Sequence, residues 1–444
     1  MRNALRLIVI NGVVLAVLAE LAALAWHFAM HDEFYYTRKR PAAGVTMAAT
    51  APLTTFRVAP YFGFMRAPGL ALKDVITAER LAQLAAPAKS PDWIAVTTNN
   101  YGFLSTHDFP LSVTSGKPFV IGIFGGSVAQ WFALQGATPL GRDLRAAAAL
   151  RDRDIVILNF AAGGYKQPQQ LLVLNYFLVL GQHFDFVINI DGFNEIALAR
   201  HNLAAGVAAS MPSVEHMTPL AQLAPLEQGG AGGALVAQLA DLKRQMAQLE
   251  AAAEQAPLAL GNLVDTLRLR RFAREYADLT ATMGAASSEA TPSLIELVAS
   301  TPTVGAAADT EVAVKLWSTA SRQMHDLLQM RGIPYLHVVQ PNQYFGNHLF
   351  APAEARLAVR EDSPYRPHVL AGYPALLAAL PALRTAGVDV LDATRLFDGD
   401  SAPVYADDCC HYNQRGNDQF ARAIATAMIM SLQRTPRPAA IAPR

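Results

Sequence analysis

The chain has 444 residues, 52% of them apolar and 16% charged, and its 36 Lys and Arg balance 36 Asp and Glu to a net charge of zero. That length suits one large domain with insertions or two domains. The apolar share excludes disorder over the whole chain, and neutrality excludes the electrostatic footprint of a nucleic-acid binder.

Leu7 to Ala19 is free of charge, and after Glu20 the apolar run resumes as Leu21 to Met30. Counted from Leu5 this makes about 26 residues, or roughly 39 Å of helix, enough to cross a bilayer. Arg2 and Arg6 precede it, so an uncleaved anchor with the bulk of the chain outside the cytoplasm is expected, at a bacterial inner membrane. Two readings compete. Ala23-Leu24-Ala25 resembles a signal-peptidase site, and a buried soluble helix has the same composition. Glu20 is costly deep in lipid, and Arg38, Lys39 and Arg40 blur the charge asymmetry.

Residues 31–116 read as an irregular lead-in of short strands and loops that packs on the core. From Lys117 the pattern changes. Phe119–Phe124, Asp154–Phe160, Phe184–Ile190, Tyr335–Val339 and Val388–Leu391 are short apolar or β-branched runs, separated by helical or loop-like segments. Buried parallel strands read this way. They predict an α/β fold: a doubly wound, flavodoxin-like parallel sheet of five strands with helices on both faces. Ligands on such sheets bind at the carboxyl ends of the strands.

The strand pattern lapses over 201–310. Ala234–Ala253 and Asn262–Thr282 have helical periodicity, with Gly229–Gly233 as a hinge before them. A helical insertion packing on the sheet is expected, and residues 229–285 are the candidate surface for a protein partner or a lid. The organisation is thus a membrane segment over 1–30, the lead-in, core halves over 117–200 and 311–433, the insertion between them, and a loose tail over 434–444.

Four polar clusters follow the strands. Gly125-Gly126-Ser127 places a serine on a sharp turn, where Val128–Phe132 begins a helix whose amide end faces the hydroxyl. Gly163-Gly164-Tyr165 leaves backbone N–H groups to face a substrate oxygen. Gly192-Phe193-Asn194 offers a side-chain amide. Asp408-Cys409-Cys410-His411 puts an aspartate one tight turn from a histidine, the pairing a serine nucleophile needs, and Asn413 can cap a helix from Gln414 to Leu432. Each alone reads equally well as an N-cap, a tight turn or a surface loop. Cys409 and Cys410 are the only cysteines. Being adjacent, they would strain a disulfide, so free thiols are expected.

Together, in this order and spacing, the four clusters resemble the blocks of the SGNH (GDSL-like) hydrolases over roughly 117–200 and 333–432. The resemblance implies Ser127 as nucleophile, His411 as base and Asp408 as its orienting acid; Asp407 is also close, but the family spacing selects Asp408. It implies an oxyanion hole from the N–H of Ser127, Gly164 rather than Gly163, and Asn194. Gly126, in place of the family's frequent aspartate, and Gln340 and Asn342 are expected to touch substrate. Pro60–Phe64 and Asn100–Phe103 are similar to segments of membrane-anchored relatives. No metal or cofactor is expected. The implied activity is a serine esterase or acyltransferase on O-acyl groups of envelope or exported polysaccharide. A lipid or lysophospholipid esterase, with Trp131–Leu134 lining the site, and a non-catalytic envelope assembly protein are the alternatives.

Overall fold

A computed structural model describes residues 2–31, 33–37, 55–88, 91–112, 118–223, 231–290, 299 and 305–434. Residues 229 and 230 of the expected hinge and 435–444 of the expected tail lie outside them. The chain forms two compact units, Met1–Thr55 with Ala221–Leu294, and Phe56–Leu220 with Ile295–Arg444.

The larger unit is built on a five-stranded parallel sheet: β3 (Phe119–Gly125), β4 (Ile155–Asn159), β5 (Phe186–Asp191), β6 (Tyr335–Val339) and β7 (Asp389–Asp392), in the order β4-β3-β5-β6-β7. A two-stranded antiparallel hairpin, β1 (Phe56–Ala59) with β2 (Gly63–Arg66), precedes it. Central strands covered on both faces need apolar side chains at consecutive positions, and every residue of β3, β5 and β6 is buried. β3 also needs glycine for contact: a Cβ on Gly122 would lie 2.6 Å from the Phe184 ring. Because all five strands run the same way, Ser127, Gly164, Asn194 and the 407–411 loop gather beyond their carboxyl ends.

The lead-in holds more regular structure than its composition suggests. Besides the hairpin it contains helices Leu72–Val75 and Ala78–Ala85 and a 3₁₀ turn at Asp92–Ala95. Several of its aromatics are core: Phe62, Phe64, Phe103 and Phe109 are buried, whereas Tyr61 is exposed, and Tyr165 Oη donates to Phe64 O at 2.8 Å.

In the smaller unit the apolar helix Arg2–His31 packs with a hairpin of helices Ala231–Gln255 and Ala259–Ala290. Its segment Ile10–Met30 is long and apolar enough to cross a membrane, by length and composition, and most of its apolar side chains up to Leu21 are exposed. Glu20, the awkward charge of that segment, caps the second hairpin helix. Its carboxylate accepts the N–H of Ala259 at 2.8 Å and of Leu260 at 2.9 Å, and also the Tyr36 hydroxyl. A helix start has unsatisfied donors, and hydrogen bonds to a charged acceptor contribute about 1.5–3 kcal/mol each. Two of them are comparable to the roughly 2.5–3.5 kcal/mol that inserting an acidic residue costs.

The span 201–310 is divided between the two units. Residues up to Leu220 belong with the sheet unit, where Asn202 holds the turn after its helix through Met211 O (2.9 Å) and Val214 N (3.0 Å). From Ala306 a helix runs to Gln329, and its Trp317 donates to Asp191 at the end of β5 at 2.7 Å.

Candidate active site

The turn after β3 is made by glycines that no other residue can replace without movement. Gly125 has φ +143°, and a Cβ there would lie 2.1 Å from Ile190 O, the carbonyl of its register partner in β5. A Cβ on Gly126 would lie 2.1 Å from Asn194 Nδ2. Gly126 therefore abuts Asn194, and this contact accounts for a glycine at this position. The helix Ser127–Gln135 starts at once, so the Ser127 N–H belongs to the first turn and has no helical acceptor.

Ser127 Oγ lies 2.7 Å from His411 Nε2, and His411 Nδ1 lies 2.5 Å from Asp407 Oδ2. Two segments 284 residues apart thus form one hydrogen-bonded chain. The acid in it is Asp407, which corrects the expectation for Asp408. Asp407 Oδ1 accepts three successive backbone N–H groups, from Cys409 (3.1 Å), Cys410 (3.0 Å) and His411 (3.1 Å), so the loop is wound around that carboxylate. Asp408 is the next residue out. Its carboxylate meets Arg360 at 3.3 Å, and its carbonyl accepts the Tyr344 hydroxyl at 2.9 Å.

Arg80, from the lead-in helix Ala78–Ala85, holds the acid from behind. It pairs with Asp407 Oδ2, donates to Ala406 O at 2.7 Å and stands 2.9 Å from His411 Nδ1. Burial alone would raise the Asp407 pKa, but His411, Arg80 and the backbone donors outweigh it and hold the carboxyl far below its ordinary range. For His411, burial pulls the imidazole down, while Cys410 and Asp407 outweigh it and push the pKa up to about 10.

Asn194 and the loop of Gly164 lie against the turn that carries Ser127: a Cβ on Gly126 would meet Asn194 Nδ2 at 2.1 Å and Tyr165 O at 2.9 Å. Gly164 has φ +81°, and a Cβ on it would lie 2.3 Å from the His216 ring, so only glycine fits. No acceptor for its N–H is found among the described residues. Gly163 N–H, in contrast, donates to Gln130 Oε1 at 3.3 Å. Asn194 Nδ2 donates one hydrogen to Tyr165 O at 2.8 Å, which fixes the amide plane and leaves the second hydrogen for a ligand. Glu195 braces both donor loops: it accepts Gly192 N at 2.8 Å, Gln167 N at 3.1 Å and Gln170 Nε2 at 2.9 Å. Burial and the nearby Asp191 raise its pKa to about 8.

Gln340 and Asn342 do not line the site. Asn342 is fully buried: its Nδ2 donates to Cys409 O at 3.2 Å and its Oδ1 accepts Tyr344 N at 3.0 Å. It supports the 407–411 loop from beneath. Gln340 is buried too, and its N–H donates to Asp191 O at 3.0 Å. Both follow β6 directly and are covered by the loops that rise beyond it. Asn413 caps the helix Gln414–Arg434 by accepting Gly416 N at 3.0 Å.

Three residues at the site carried no sequence signal: Arg80, Arg66 and His216. The Arg66 guanidinium donates to Gln130 Oε1 at 2.9 Å and lies 4.7 Å from the centre of the Phe56 ring. Burial lowers its pKa to about 10, so it is charged at neutral pH. Leaving a buried charge without a counter-ion costs several kcal/mol, more than the ~0.5–2 kcal/mol that a ring face returns. His216 stacks on Phe64 at 4.7 Å, and burial pushes its pKa down to about 4.

Cys409 and Cys410 are free thiols with their sulfurs in contact at 2.8 Å. With His411 they form a cluster of metal-ligand type within 4.8 Å. Both ring nitrogens of that histidine are engaged, by Ser127 and Asp407, and Cys410 Sγ lies 4.0 Å from each of them. The cluster therefore has two thiols to offer an ion and no in-plane imidazole lone pair.

Compared with known proteins, the chain matches no protein-family model, and no curated protein is significantly similar to it.

Proposed function

We propose that this chain is an SGNH-type serine acyl hydrolase or transferase, with Ser127 as nucleophile, His411 as base and Asp407 as the orienting acid. The observation that carries the reading is the continuous Ser127–His411–Asp407 chain at 2.7 and 2.5 Å, set beside the Gly164 N–H and the Asn194 amide. The strand order suits a doubly wound, flavodoxin-like sheet with its ligand at the carboxyl ends of the strands.

The chemistry follows from the geometry. His411 Nε2 takes the proton of Ser127 as Oγ attacks an ester carbonyl. The oxyanion that forms is held by the N–H of Ser127, the N–H of Gly164 and the free hydrogen of Asn194 Nδ2. Asp407 stabilises the imidazolium, which then protonates the leaving alcohol. Water, or a sugar hydroxyl in a transfer, repeats the sequence on the acyl-enzyme.

The substrate class is an O-acyl ester, of the acetyl type, on envelope or exported polysaccharide. The helix Arg2–His31 would tether the enzyme to a membrane, with the catalytic unit outside the cytoplasm. A lipid ester fits less well. Trp131, Phe132, Ala133 and Leu134, which would have walled an acyl chain, are all buried, and Trp131 packs edge-on to Trp93.

A fluorophosphonate probe tests the assignment. Wild type should be labelled and Ser127→Ala should not. Equal labelling of the two would remove Ser127 from the mechanism.

A further inference from the structure

Among the described residues, one cation at the edge of the site faces no carboxylate. Arg66 closes β2, and its Nη1 is taken by Gln130 Oε1 at 2.9 Å. Its Nε is buried with no hydrogen-bond partner. A Cβ built on Gly163 would meet just two atoms within 4 Å, Arg66 Nη2 at 3.6 Å and Ser127 Cβ at 4.0 Å. A side chain's first carbon would thus fit above Gly163 without a clash, with the nucleophile on one side and the guanidinium on the other.

We propose that Arg66 is an anion subsite, which selects substrates carrying a carboxylate beside the reacting ester, the pattern an O-acylated acidic sugar presents. The inference rests on Ser127 being the nucleophile. Three features support it. First, the guanidinium fork has two edges, and among the described residues the one shared by Nε and Nη2 has no hydrogen-bond partner, leaving the geometry that carboxylates engage. Second, Gln130 Oε1 accepts both Arg66 Nη1 and Gly163 N–H, so the cation is held in register with the loop that carries Gly164. Third, the Phe56 ring backs the guanidinium at 4.7 Å, which limits its swing. A carboxylate there would neutralise a charge that no described carboxylate pairs.

Two esters that differ only in charge test the subsite: 3-acetoxy-4-nitrobenzoate and its carboxamide, followed by nitrophenol release on the full chain. Wild type should favour the carboxylate by about 10- to 100-fold in kcat/KM, the range of a charge-assisted hydrogen-bonded pair. Arg66→Gln should bring that ratio close to one, and Arg66→Lys should restore part of it. A wild-type ratio near one, with Ser127 still labelled by the fluorophosphonate, overturns the subsite and leaves the nucleophile standing. An unchanged ratio in Arg66→Gln, with both rates falling together, makes Arg66 a support for Gln130 and also overturns it. Failure of Ser127 labelling in wild type overturns both readings.

Discussion

The two halves of the candidate site are fixed in different ways. The turns after β3, β4 and β5 are set locally. Gly125, Gly164 and Gly192 all have positive φ, Gly125 as the last residue of its strand and the other two just beyond theirs, and the chain can fold there in few other ways. The loop 407–411 is set from a distance. Its shape depends on three N–H groups converging on Asp407, on Arg80 from 327 residues away in sequence, and on Asn342 beneath it. Local turns announce their chemistry through glycine. A loop fixed by remote partners does not announce which of two adjacent side chains points inward.

The sharpest way to break this comparison is at the two aspartates. Asp407→Asn should lower kcat by about 10⁴, the scale seen when the orienting acid of such a triad loses its charge. Asp408→Asn, whose carboxylate meets Arg360 at 3.3 Å on the surface, should stay within a few-fold of wild type. Ester turnover by purified variants decides it, and the reverse ranking would return the acid's role to Asp408.

A smaller effect is expected on the locally fixed side. Asn194→Ala removes one oxyanion donor and should slow turnover by about 10²–10³. Thermal melting should show that the fold survives: Tyr165 O loses its Asn194 donor, but the Tyr165 hydroxyl keeps Phe64 O and Glu195 keeps its three donors. A variant with an unchanged rate would take Asn194 out of the oxyanion hole.

The smallest effect is a shift in pH. A base must be neutral to accept the serine proton, and His411 is held above its ordinary pKa, at about 10, by Cys410 and Asp407 against the opposing pull of burial. Activity should therefore climb as pH rises from neutral into the alkaline range and fall as His411 is protonated below it. Burial raises the Cys410 thiol, but Cys409 and His411 outweigh that and draw it down to about 7, so it supplies negative charge beside the ring. Cys410→Ser should move the acidic limb of the kcat/KM profile about one pH unit lower. A limb that stays put would show that Asp407 alone sets the base.

The same division explains what could be read in advance. The five strands were legible because each is a continuous apolar run that ends in a polar turn, as Phe119–Phe124 does before Gly125. Ser127, Gly164 and Asn194 could be singled out because they follow such runs, and His411 because it lies in the loop just before the helix Gln414–Arg434. Asp407 was within sight but lost to its neighbour, since spacing counts residues and carries no side-chain direction. Gln340 and Asn342 misled for a related reason: a polar residue after a strand reads as site-facing even when later loops cover it. Arg66, Arg80 and His216 lie in segments whose neighbours carry no catalytic pattern, and only the packing of the lead-in and of the helix Val214–Leu223 against the core brings them to the rim.

The contact between Gly126 and Asn194 carries a consequence for how this site can vary. A Cβ at position 126 would occupy the place now held by Asn194 Nδ2, at 2.1 Å. Two blocks 68 positions apart in the numbering are thus in direct contact. Any side chain at 126 requires the Asn194 amide to shift, so the effects of exchanges at 126 and 194 should not add, the signature of coupling between neighbouring sites.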